Sequence, residues 1–185
     1  LGGQIPVNIV TLSDVTHQQL ATNQRNSLDN VKFVNTNEIN NLLNEKPSSK
    51  VQFTPFDGSV VYSPVAYIPT ILAIKISSVI NMDIGHTLLL SRISGLMMYI
   101  VLGCFAIQFA PATLRLLFGS ILLIPMAVHQ ASTITADISL IPLTLIIFSS
   151  IIKYVKVPDK KILGIGIIAA IFLPLAKPTY IFISL

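Results

Sequence analysis

Arg92, Asp137 and Lys177 are ionisable residues that lie in or beside apolar segments of this 185-residue chain. A charge at membrane depth is costly, and such residues usually serve binding or proton transfer. Together they offer two cations for an anionic group and one carboxylate for a hydroxyl group. Polar residues in the same stretches complete the candidate set: Tyr62, Tyr67, His129, Gln130, Ser132, Thr135 and Tyr180.

Each of these residues also has a structural interpretation. Arg92 and Lys177 suit interface anchors whose aliphatic stems lie along apolar surface. Asp137 suits the N-cap of the helix that follows it, and a helix N-terminus would keep such a carboxylate ionised. The tyrosines fit an aromatic belt at the membrane interface, and we expect His129 to be structural. The two interpretations are compatible, so both stay open at this point.

The composition is that of a membrane protein. Hydrophobic residues make up 52% of the chain and charged residues 11%, with a mean hydropathy of +0.75; soluble domains carry roughly 25% charged residues. Residues 1–60 hold four Lys/Arg and five Asp/Glu, whereas residues 61–185 hold eight and three. The positive charge lies between apolar runs, without the clustered basic face of a nucleic-acid-binding protein. We therefore expect membrane lipids as partners and no nucleic acid.

No self-contained catalytic or cofactor motif occurs in the sequence. Cys104 is the sole cysteine, which excludes a disulfide framework and a cysteine-based metal site. Nucleophile motifs, phosphate-binding loops, dinucleotide fingerprints and HExxH patterns are absent from it. Gly164 and Gly166 lie within an apolar run and are expected to allow close helix packing. The sequence thus predicts no cofactor and leaves the use of a divalent cation open.

The first part of the chain is polar. Residues 1–57 are rich in Asn, Gln, Ser and Thr, and they contain too little apolar surface to offset the entropy of ordering the chain. We expect a solvated loop region without its own core, with one short helix over residues 37–43.

Five apolar segments follow, over residues 65–80, 88–109, 114–128, 138–152 and 162–173, the last with a continuation past Tyr180. Crossing the hydrocarbon takes about 20 residues, so segment 88–109 alone is clearly long enough. The others are short or broken by Pro125, Pro142, Pro174 and Pro178. Because broken helices need protein or water to satisfy the freed backbone groups, the pattern favours a bundle with an internal cavity.

Residues 153–161 carry four lysines against one aspartate, and the positive-inside rule places them in the cytoplasm. Counting crossings back from there puts Arg92, Asp137 and Lys177 at the outer ends of their helices. Segment 65–80 is short, which suits an interfacial helix with the polar region outside; if it crosses, that region is cytoplasmic. The predicted domains are an extracytoplasmic loop region (1–61), an interfacial helix with its connecting loop (62–87), and a transmembrane bundle of about four segments (88–185).

Several motifs, in this order, resemble one family. A GG-x-x-P element starts the chain, followed by YSPVAYIP from Tyr62, SRISGL around Arg92, PMAVHQASTITAD ending at Asp137, and LAKPTY ending at Tyr180. The sequence resembles the bacterial predicted membrane proteins of domain-of-unknown-function family 2142 over nearly its whole length. Because the chain begins with Leu and stops within an apolar stretch, we expect it to be an internal fragment.

That family is similar to the GT-C membrane glycosyltransferases, which take sugars from polyprenyl-phosphate carriers on the outer face. The resemblance implies an all-α, polytopic GT-C-like bundle, with residues 1–86 in the first outer loop and Asp137 as the acid of the second. The acidic motif of the first loop normally precedes the glycine element, so the principal catalytic base is expected upstream of Leu1. No D-x-D pattern occurs near Asp137, so metal dependence does not follow from the resemblance.

The implied activity is sugar transfer from a lipid-linked donor to a cell-envelope acceptor at the bacterial cytoplasmic membrane. Asp137 would be catalytic, orienting the acceptor or a cation, and Arg92 or Lys177 would hold the donor phosphate. The other substrate-binding candidates are Tyr62, Tyr67, Gln130, Ser132 and Tyr180. A transporter of lipid-linked sugars or polysaccharide suits broken helices equally well, and a non-catalytic membrane scaffold is a further alternative. A midplane position for Arg92 or Asp137 would favour the transporter.

Overall fold

The computed structural model describes residues 2–13, 36–55 and 63–180, which form a largely helical, membrane-type fold with one small sheet. Two stretches are long and apolar enough to cross a bilayer: α4 (Ile84–Phe109), and Ala136–Lys156, which joins a 3-10 turn to α7 (Leu140–Lys156). The predicted fold class, an all-α polytopic membrane protein, is confirmed. Segment 138–152 was wrongly expected to be too short, because the preceding turn extends it.

Contacts between residues divide the chain into two units. One comprises Leu1–Val60 with Lys75–Leu89, and the other comprises Val61–Ile74 with Leu90–Leu185. The domain boundaries derived from the sequence stay a prediction.

The first unit contains a two-stranded antiparallel sheet. Strand β1 (Gly2–Pro6) pairs with β2 (Val51–Pro55) in a register that sets Gly2 opposite Pro55. Residues 7–13 are helical (α1), and α2 covers Thr36–Leu43. The predicted short helix is therefore confirmed. The expectation of loop is wrong for residues 2–13 and 51–55 and is confirmed for residues 44–50, whereas residues 14–35 and 56–57 lie outside the described part of the chain. The sequence did not predict the two strands because they lie far apart in the chain, so their pairing has no local signal. In addition, the apolar residues of β2 are exposed, so no buried face marks the strand.

Polar contacts stabilise this unit. The side chain of Asn8 donates to the backbone carbonyl of Lys46 at 2.7 Å and accepts from the backbone N–H of Ser48 at 3.0 Å. These bonds tie the start of α1 to the segment before β2. The Asn8 side chain thus pairs two backbone groups, the carbonyl of Lys46 and the N–H of Ser48, that no strand or helix pairs.

Helix α3 (Ile68–Ile80) continues from a 3-10 turn, Pro64–Tyr67, and ends in a Schellman motif. The N–H of Met82 donates to the carbonyl of Ser77 at 3.0 Å, and the N–H of Asn81 donates to that of Ser78 at 3.3 Å. Asn81 has a φ of 57°, a left-handed conformation that asparagine tolerates better than most residues. This cap turns the chain from α3 into α4.

In the second unit, α4 and α7 run in the same direction. A Cβ atom added at Gly95 would lie 2.8 Å from the Cδ1 atom of Ile138, near the start of α7. Towards the other end, Lys153 Nζ lies 4.5 Å from the centroid of the Phe109 ring. Two contacts in the same order along both helices fix their parallel arrangement.

The chain between α4 and α7 must therefore cross back. It does so as α5 (Arg115–Leu122) and α6 (Pro125–Ala131), which are bent by 69° at the break between them. Tyr99 contacts Leu122 in the middle of this path, and Arg92 contacts Ser132 at its end. The bent pair thus runs antiparallel to α4 as one broken span rather than a re-entrant loop.

The break has a local cause and a local remedy. Pro125 has no N–H and cannot continue the preceding helix, but it fits the first position of a new one. The hydroxyl of Tyr99 donates to the freed carbonyl of Leu122 at 2.8 Å, as a break at membrane depth requires. The predicted break at Pro125 is confirmed. The breaks expected at Pro142 and Pro174 are wrong, since both lie within helices.

Helix α8 (Lys160–Ala176) packs antiparallel against α7 across the short connection 157–159. Asp159 caps α8 by accepting the backbone N–H of Lys161 at 2.9 Å. A Cβ atom at Gly166 would lie 2.7 Å from that of Ser150, whereas one at Gly164 would have no neighbour within 4 Å. Close packing is confirmed for Gly166 and wrong for Gly164.

Candidate functional site

Asp137 and Lys177 form an ion pair. The Nζ atom of Lys177 donates to Oδ1 of Asp137 at 2.8 Å, and the two side chains are 26% and 25% exposed. Asp137 lies in the 3-10 turn Ala136–Ser139 that precedes α7, and Lys177 directly follows α8. The antiparallel hairpin therefore brings the two residues together. Partial burial strengthens their attraction, because less water screens it.

Asp137 is not an N-cap, so this interpretation was wrong. Thr135 occupies the N-cap position of the turn, and no side chain there accepts a backbone N–H. The carboxylate of Asp137 instead engages Lys177, which lies 40 residues further along the chain. The sequence pattern suggested that Asp137 accepts a backbone N–H of its own turn, whereas the structure shows that it binds the ammonium group of Lys177.

Arg92 lies at the same end of the unit. Its Nε atom donates to the backbone carbonyl of Ser132 at 2.9 Å. Ser132 belongs to the short connection between α6 and Asp137, so α4 is tied to the segment that carries the carboxylate. The prediction that Arg92 lies at the outer end of its helix is wrong, because α4 begins at Ile84, eight residues before it; Arg92 instead contacts the connection that leads to Asp137.

Two of the predicted binding residues contribute through their backbone. The hydroxyl of Ser132 donates to the carbonyl of His129 at 2.8 Å, while the carbonyl of Ser132 holds Arg92. The carbonyl of Gln130 accepts both the N–H and the hydroxyl of Thr133. These local bonds stabilise the turn after α6, and Arg92 binds the carbonyl of Ser132 rather than its hydroxyl.

The tyrosines differ in their placement. Tyr67 ends the turn Pro64–Tyr67, which contacts both the turn of Asp137 and α8. The N–H of Tyr180 donates to the carbonyl of Lys177 at 3.0 Å, and its side chain packs against the apolar core. Tyr62 lies outside the described residues. Tyr67 and Tyr180 thus belong to elements that adjoin the ion pair.

An apolar cavity of about 430 Å³ lies between α4, α7, α8 and the turn Pro64–Tyr67. Among its lining residues, Ser139 supplies the one polar side chain. Ile138 and Ala176 also line it, and they are the chain neighbours of Asp137 and Lys177. The residues of the ion pair therefore directly adjoin lining residues in the chain, although neither of their side chains lines the cavity.

The cavity opens sideways between α4 and α8. Four of its lining residues on these helices are 38% to 58% exposed: Met98, Phe105, Ile168 and Phe172. The opening therefore lies on the exposed apolar surface of these two helices. Its volume is within the range of roughly 300–1,000 Å³ found for small-molecule sites.

Two buried hydroxyls at this end lack partners. Neither Ser91 Oγ nor Thr135 Oγ1 has a hydrogen-bond partner among the described residues, although both atoms are inaccessible. Buried polar atoms in native proteins are nearly always paired with protein, water or ligand. Sequence reasoning named Thr135 but missed Ser91, whose signal is its spacing of four from Gly95 along the buried stripe of α4.

The other unit has a polar pocket of about 340 Å³, lined among others by Asn40, Asn44, Asp83 and His86. The backbone N–H of His86 donates to the carboxylate of Asp83 at 3.0 Å, and this bond lowers the pKa of Asp83 below its usual value. The His86 side chain is 70% exposed. We therefore assign Asp83 to helix capping.

Within the described parts of the chain, no three His, Cys, Asp or Glu side chains come close enough together to hold a metal ion.

The comparisons with known proteins agree with the membrane fold. No curated protein and no solved structure matches the chain. The family model of predicted membrane proteins, DUF2142, matches residues 4–185. This range includes the two candidate spans, the broken span and the ion pair. The resemblance stated from the motifs is confirmed, and the chain belongs to the DUF2142 family of predicted membrane proteins.

Proposed function

We propose that the protein is a glycosyltransferase-like membrane enzyme that moves a sugar from a polyprenyl-phosphate donor to a cell-envelope acceptor. The observation that carries this proposal is the partly buried Asp137–Lys177 pair beside an apolar cavity that opens on the exposed apolar surface of α4 and α8. The cavity suits the hydrocarbon part of a lipid-linked substrate. The pair offers a cation for its phosphate and a carboxylate for an acceptor hydroxyl.

We place this end on the outer face of the bacterial cytoplasmic membrane. The opposite end of the α7–α8 hairpin carries Lys153, Lys156, Lys160 and Lys161, and positively charged loops are retained in the cytoplasm. Helix α8 has 17 residues, which at 1.5 Å per residue gives about 26 Å. This length approaches the thickness of the hydrocarbon core, so the ion pair belongs at the other face.

The charges have complementary roles in the proposed reaction. The acceptor hydroxyl attacks the sugar carbon that carries the phosphate, and the phosphate leaves with the bonding electron pair. Lys177 and Arg92 stabilise the leaving phosphate through charge-assisted hydrogen bonds. Asp137 accepts a hydrogen bond from the acceptor hydroxyl and orients it. The resemblance to GT-C enzymes implies that a further carboxylate is the general base that takes the proton of this hydroxyl.

The broken span α5–α6 is the observation that favours a transporter of lipid-linked sugars, because unwound helices often line transport sites. However, Tyr99 already satisfies the freed carbonyl at this break. Its flanking residues, Leu123 and Ile124, are apolar and 75% and 49% exposed. Asp137 and Lys177 lie at helix ends rather than at mid-span. These features support the transferase over the transporter.

The test is sugar transfer by the full-length protein in membranes, measured with a panel of radiolabelled polyprenyl-phosphate sugars. We expect Asp137→Asn to lower the rate by about 100-fold or more, because misplacing a reactant costs about that much. Asp159→Asn is the matched control, since Asp159 caps α8 at the far end; it should change the rate less than about twofold. Undiminished transfer by Asp137→Asn would remove Asp137 from the mechanism. No transfer from any donor by the unmutated protein would refute the enzyme.

A further inference from the structure

We infer that the Asp137–Lys177 pair is a latch that an anionic lipid opens: the lipid phosphate takes Lys177 from Asp137 while the adjoining hydrocarbon fills the apolar cavity. The inference rests on the proposed function, since it takes the lipid donor of that reaction as the occupant. It adds the position of the lipid and an order of events. The carboxylate of Asp137, which orients the acceptor hydroxyl, becomes available after the donor has bound.

The apolar lining of the cavity indicates that the part of the ligand bound inside it is hydrocarbon. Its walls are aliphatic or aromatic on every helix that contributes, for example Leu102 of α4, Leu143 and Ile146 of α7, and Phe172 of α8. An apolar surface of this kind gains free energy by taking up hydrocarbon and none by taking up a free sugar or a free anion. The sideways opening allows a membrane lipid to enter without passing through water.

The ammonium group of Lys177, next to a cavity-lining residue, indicates that the ligand also carries an anionic group. Ala176 lines the cavity, and the next residue, Lys177, carries the ammonium group. A hydrocarbon chain lying against Ala176 would therefore bring its terminal phosphate to Lys177. The donor phosphate is a diester with one negative charge and two non-bridging oxygens, so it can accept hydrogen bonds from the ammonium group in the same way as the carboxylate does.

Two features fit a pair that exchanges partners. Both side chains are about a quarter exposed, so the ion pair can open without uncovering a fully buried charge. The buried hydroxyl Thr135 Oγ1 has no partner within the described residues and lies two residues from Asp137. It can donate to the carboxylate or the phosphate once Lys177 has moved.

The latch implies an order of binding. While Lys177 holds Asp137, the carboxylate is neutralised and one of its oxygens is occupied. When the lipid phosphate takes the cation, that oxygen becomes an acceptor for the incoming hydroxyl. The donor would then bind before the acceptor.

The test measures binding of a fluorescent polyprenyl monophosphate to the purified full-length protein in nanodiscs. An uncharged polyprenol and inorganic phosphate serve as competitors. We expect the polyprenyl monophosphate to bind at least about tenfold more tightly than either competitor, because it engages both the cavity and Lys177. Equal competition by inorganic phosphate would mean that the cavity takes no part and would overturn the inference. Equal competition by the polyprenol would overturn the role of Lys177.

Variants of α8 test the cavity. Ile168 lines the cavity and is 58% exposed; Ile171 does not line it and is 55% exposed. A tryptophan at either position is compatible with folding because both side chains face lipid. Ile168→Trp should weaken binding about tenfold by filling the opening, and Ile171→Trp should change it less than about twofold. Equal effects of the two variants would contradict the placement of the tail.

Variants of the pair test the latch. Lys177→Met should weaken binding about tenfold, and Lys177→Arg should restore it. Asp137→Asn should strengthen binding severalfold, because the competing carboxylate is removed. A merely structural ion pair predicts the opposite, since losing either partner would then disturb the site. Weaker binding by Asp137→Asn would overturn the latch.

Transfer assays on the same variants separate this inference from the proposed function. If binding follows all these expectations and no sugar is transferred, the lipid site stands and the enzyme is refuted. If Ile168→Trp transfers sugar as well as Ile171→Trp does, the lipid site is refuted and the enzyme stands.

Discussion

The two ends of the α7–α8 hairpin hold their charges in different ways. At one end, which we call the lysine end, the charged residues are Lys153, Lys156, Asp159, Lys160 and Lys161. Asp159 caps its own helix there, and Lys153 lies over the ring of Phe109. At the other end, the ion-pair end, Asp137 reaches Lys177 across 40 residues, and both side chains are mostly buried.

This difference distinguishes charges that are satisfied at their own helix end from charges that the fold holds together and that a ligand could bind. A capping carboxylate or an exposed lysine is satisfied by its own helix or by water, so it anchors a helix end at little cost. A partly buried pair contributed by two helices depends on the fold to hold it together, and each partner can be taken over by a ligand. The predictions below test this contrast, in order of decreasing expected effect.

The largest effect concerns the packing that holds the hairpin together. Gly166→Ala places a Cβ atom 2.7 Å from that of Ser150, whereas Gly164→Ala meets nothing within 4 Å. We expect Gly166→Ala to destabilise the protein by about 1–3 kcal/mol. Gly164→Ala should be neutral or stabilise it by about 0.5–1 kcal/mol, because it removes a glycine from a helix. Reversible unfolding in mixed micelles measures both; equal effects would contradict the close contact.

A smaller loss of stability is expected from opening the ion pair. Lys177→Met leaves the carboxylate of Asp137 without its cation, and we expect a loss of about 1–2 kcal/mol, discounted for the exposure of both side chains. Lys161→Met at the lysine end should change stability by less than about 0.5 kcal/mol.

A double-mutant cycle in the same micelles checks whether the two residues act as a pair. Combining Lys177→Met with Asp137→Asn should cost less than the sum of the single changes. Strict additivity would show that the two charges are not coupled, and the contrast between the ends would fail.

The broken span α5–α6 connects the two ends of the bundle, and the hydroxyl of Tyr99 donates to the backbone carbonyl of Leu122 at its break. Tyr99→Phe removes the donor to the carbonyl of Leu122, so we expect a loss of about 1 kcal/mol. Tyr154→Phe on α7 is the control, because that side chain is 38% exposed. Indistinguishable stability of Tyr99→Phe and the parent protein would mean that another donor satisfies the break.

The smallest effect concerns Asp83, a second carboxylate that acts locally. The N–H of His86 lowers the pKa of Asp83, so this group stabilises the folded state above its unfolded pKa of about 3.9. The contribution is lost as the pH falls through the lower folded pKa. Parent protein and Asp83→Asn should therefore differ in melting temperature near neutral pH, begin to converge as the pH falls below about 4, and converge fully below the folded pKa of Asp83. A difference that persists in acid would contradict capping by the ionised carboxylate.

The elements of the bundle followed from sequence because their signals are local. A long apolar run predicted α4, proline predicted the break before α6, and the four lysines marked the end of α7. Asp137 was assigned to the wrong partner for the same reason: a local cap is visible in a pattern, whereas Lys177 becomes a neighbour through the hairpin. Gly164 and Gly166 look alike in sequence, and contact with Ser150 distinguishes them.

The cavity was not predictable in position. Its lining residues recur at helical spacing on α8, as in Ile165, Ile168, Phe172 and Ala176. However, α4 and α8 are apolar on all sides, so periodicity cannot separate a cavity wall from a lipid-facing surface. The ion-pair end was predictable as a convergence of charges, because counting crossings requires only the number of spans. The hydrogen-bond partners within it required the fold.

The central claim is that the two ends of the hairpin lie on opposite sides of the membrane, with the ion-pair end outside. It is tested by labelling single cysteines in a Cys104→Ala background with a membrane-impermeant maleimide on intact cells. Ile134→Cys and Lys156→Cys are suitable, because both positions are exposed and lie at the two ends. The account predicts labelling of Ile134→Cys in intact cells and of Lys156→Cys only after permeabilisation. The reverse pattern, or labelling of both from one side, would contradict it.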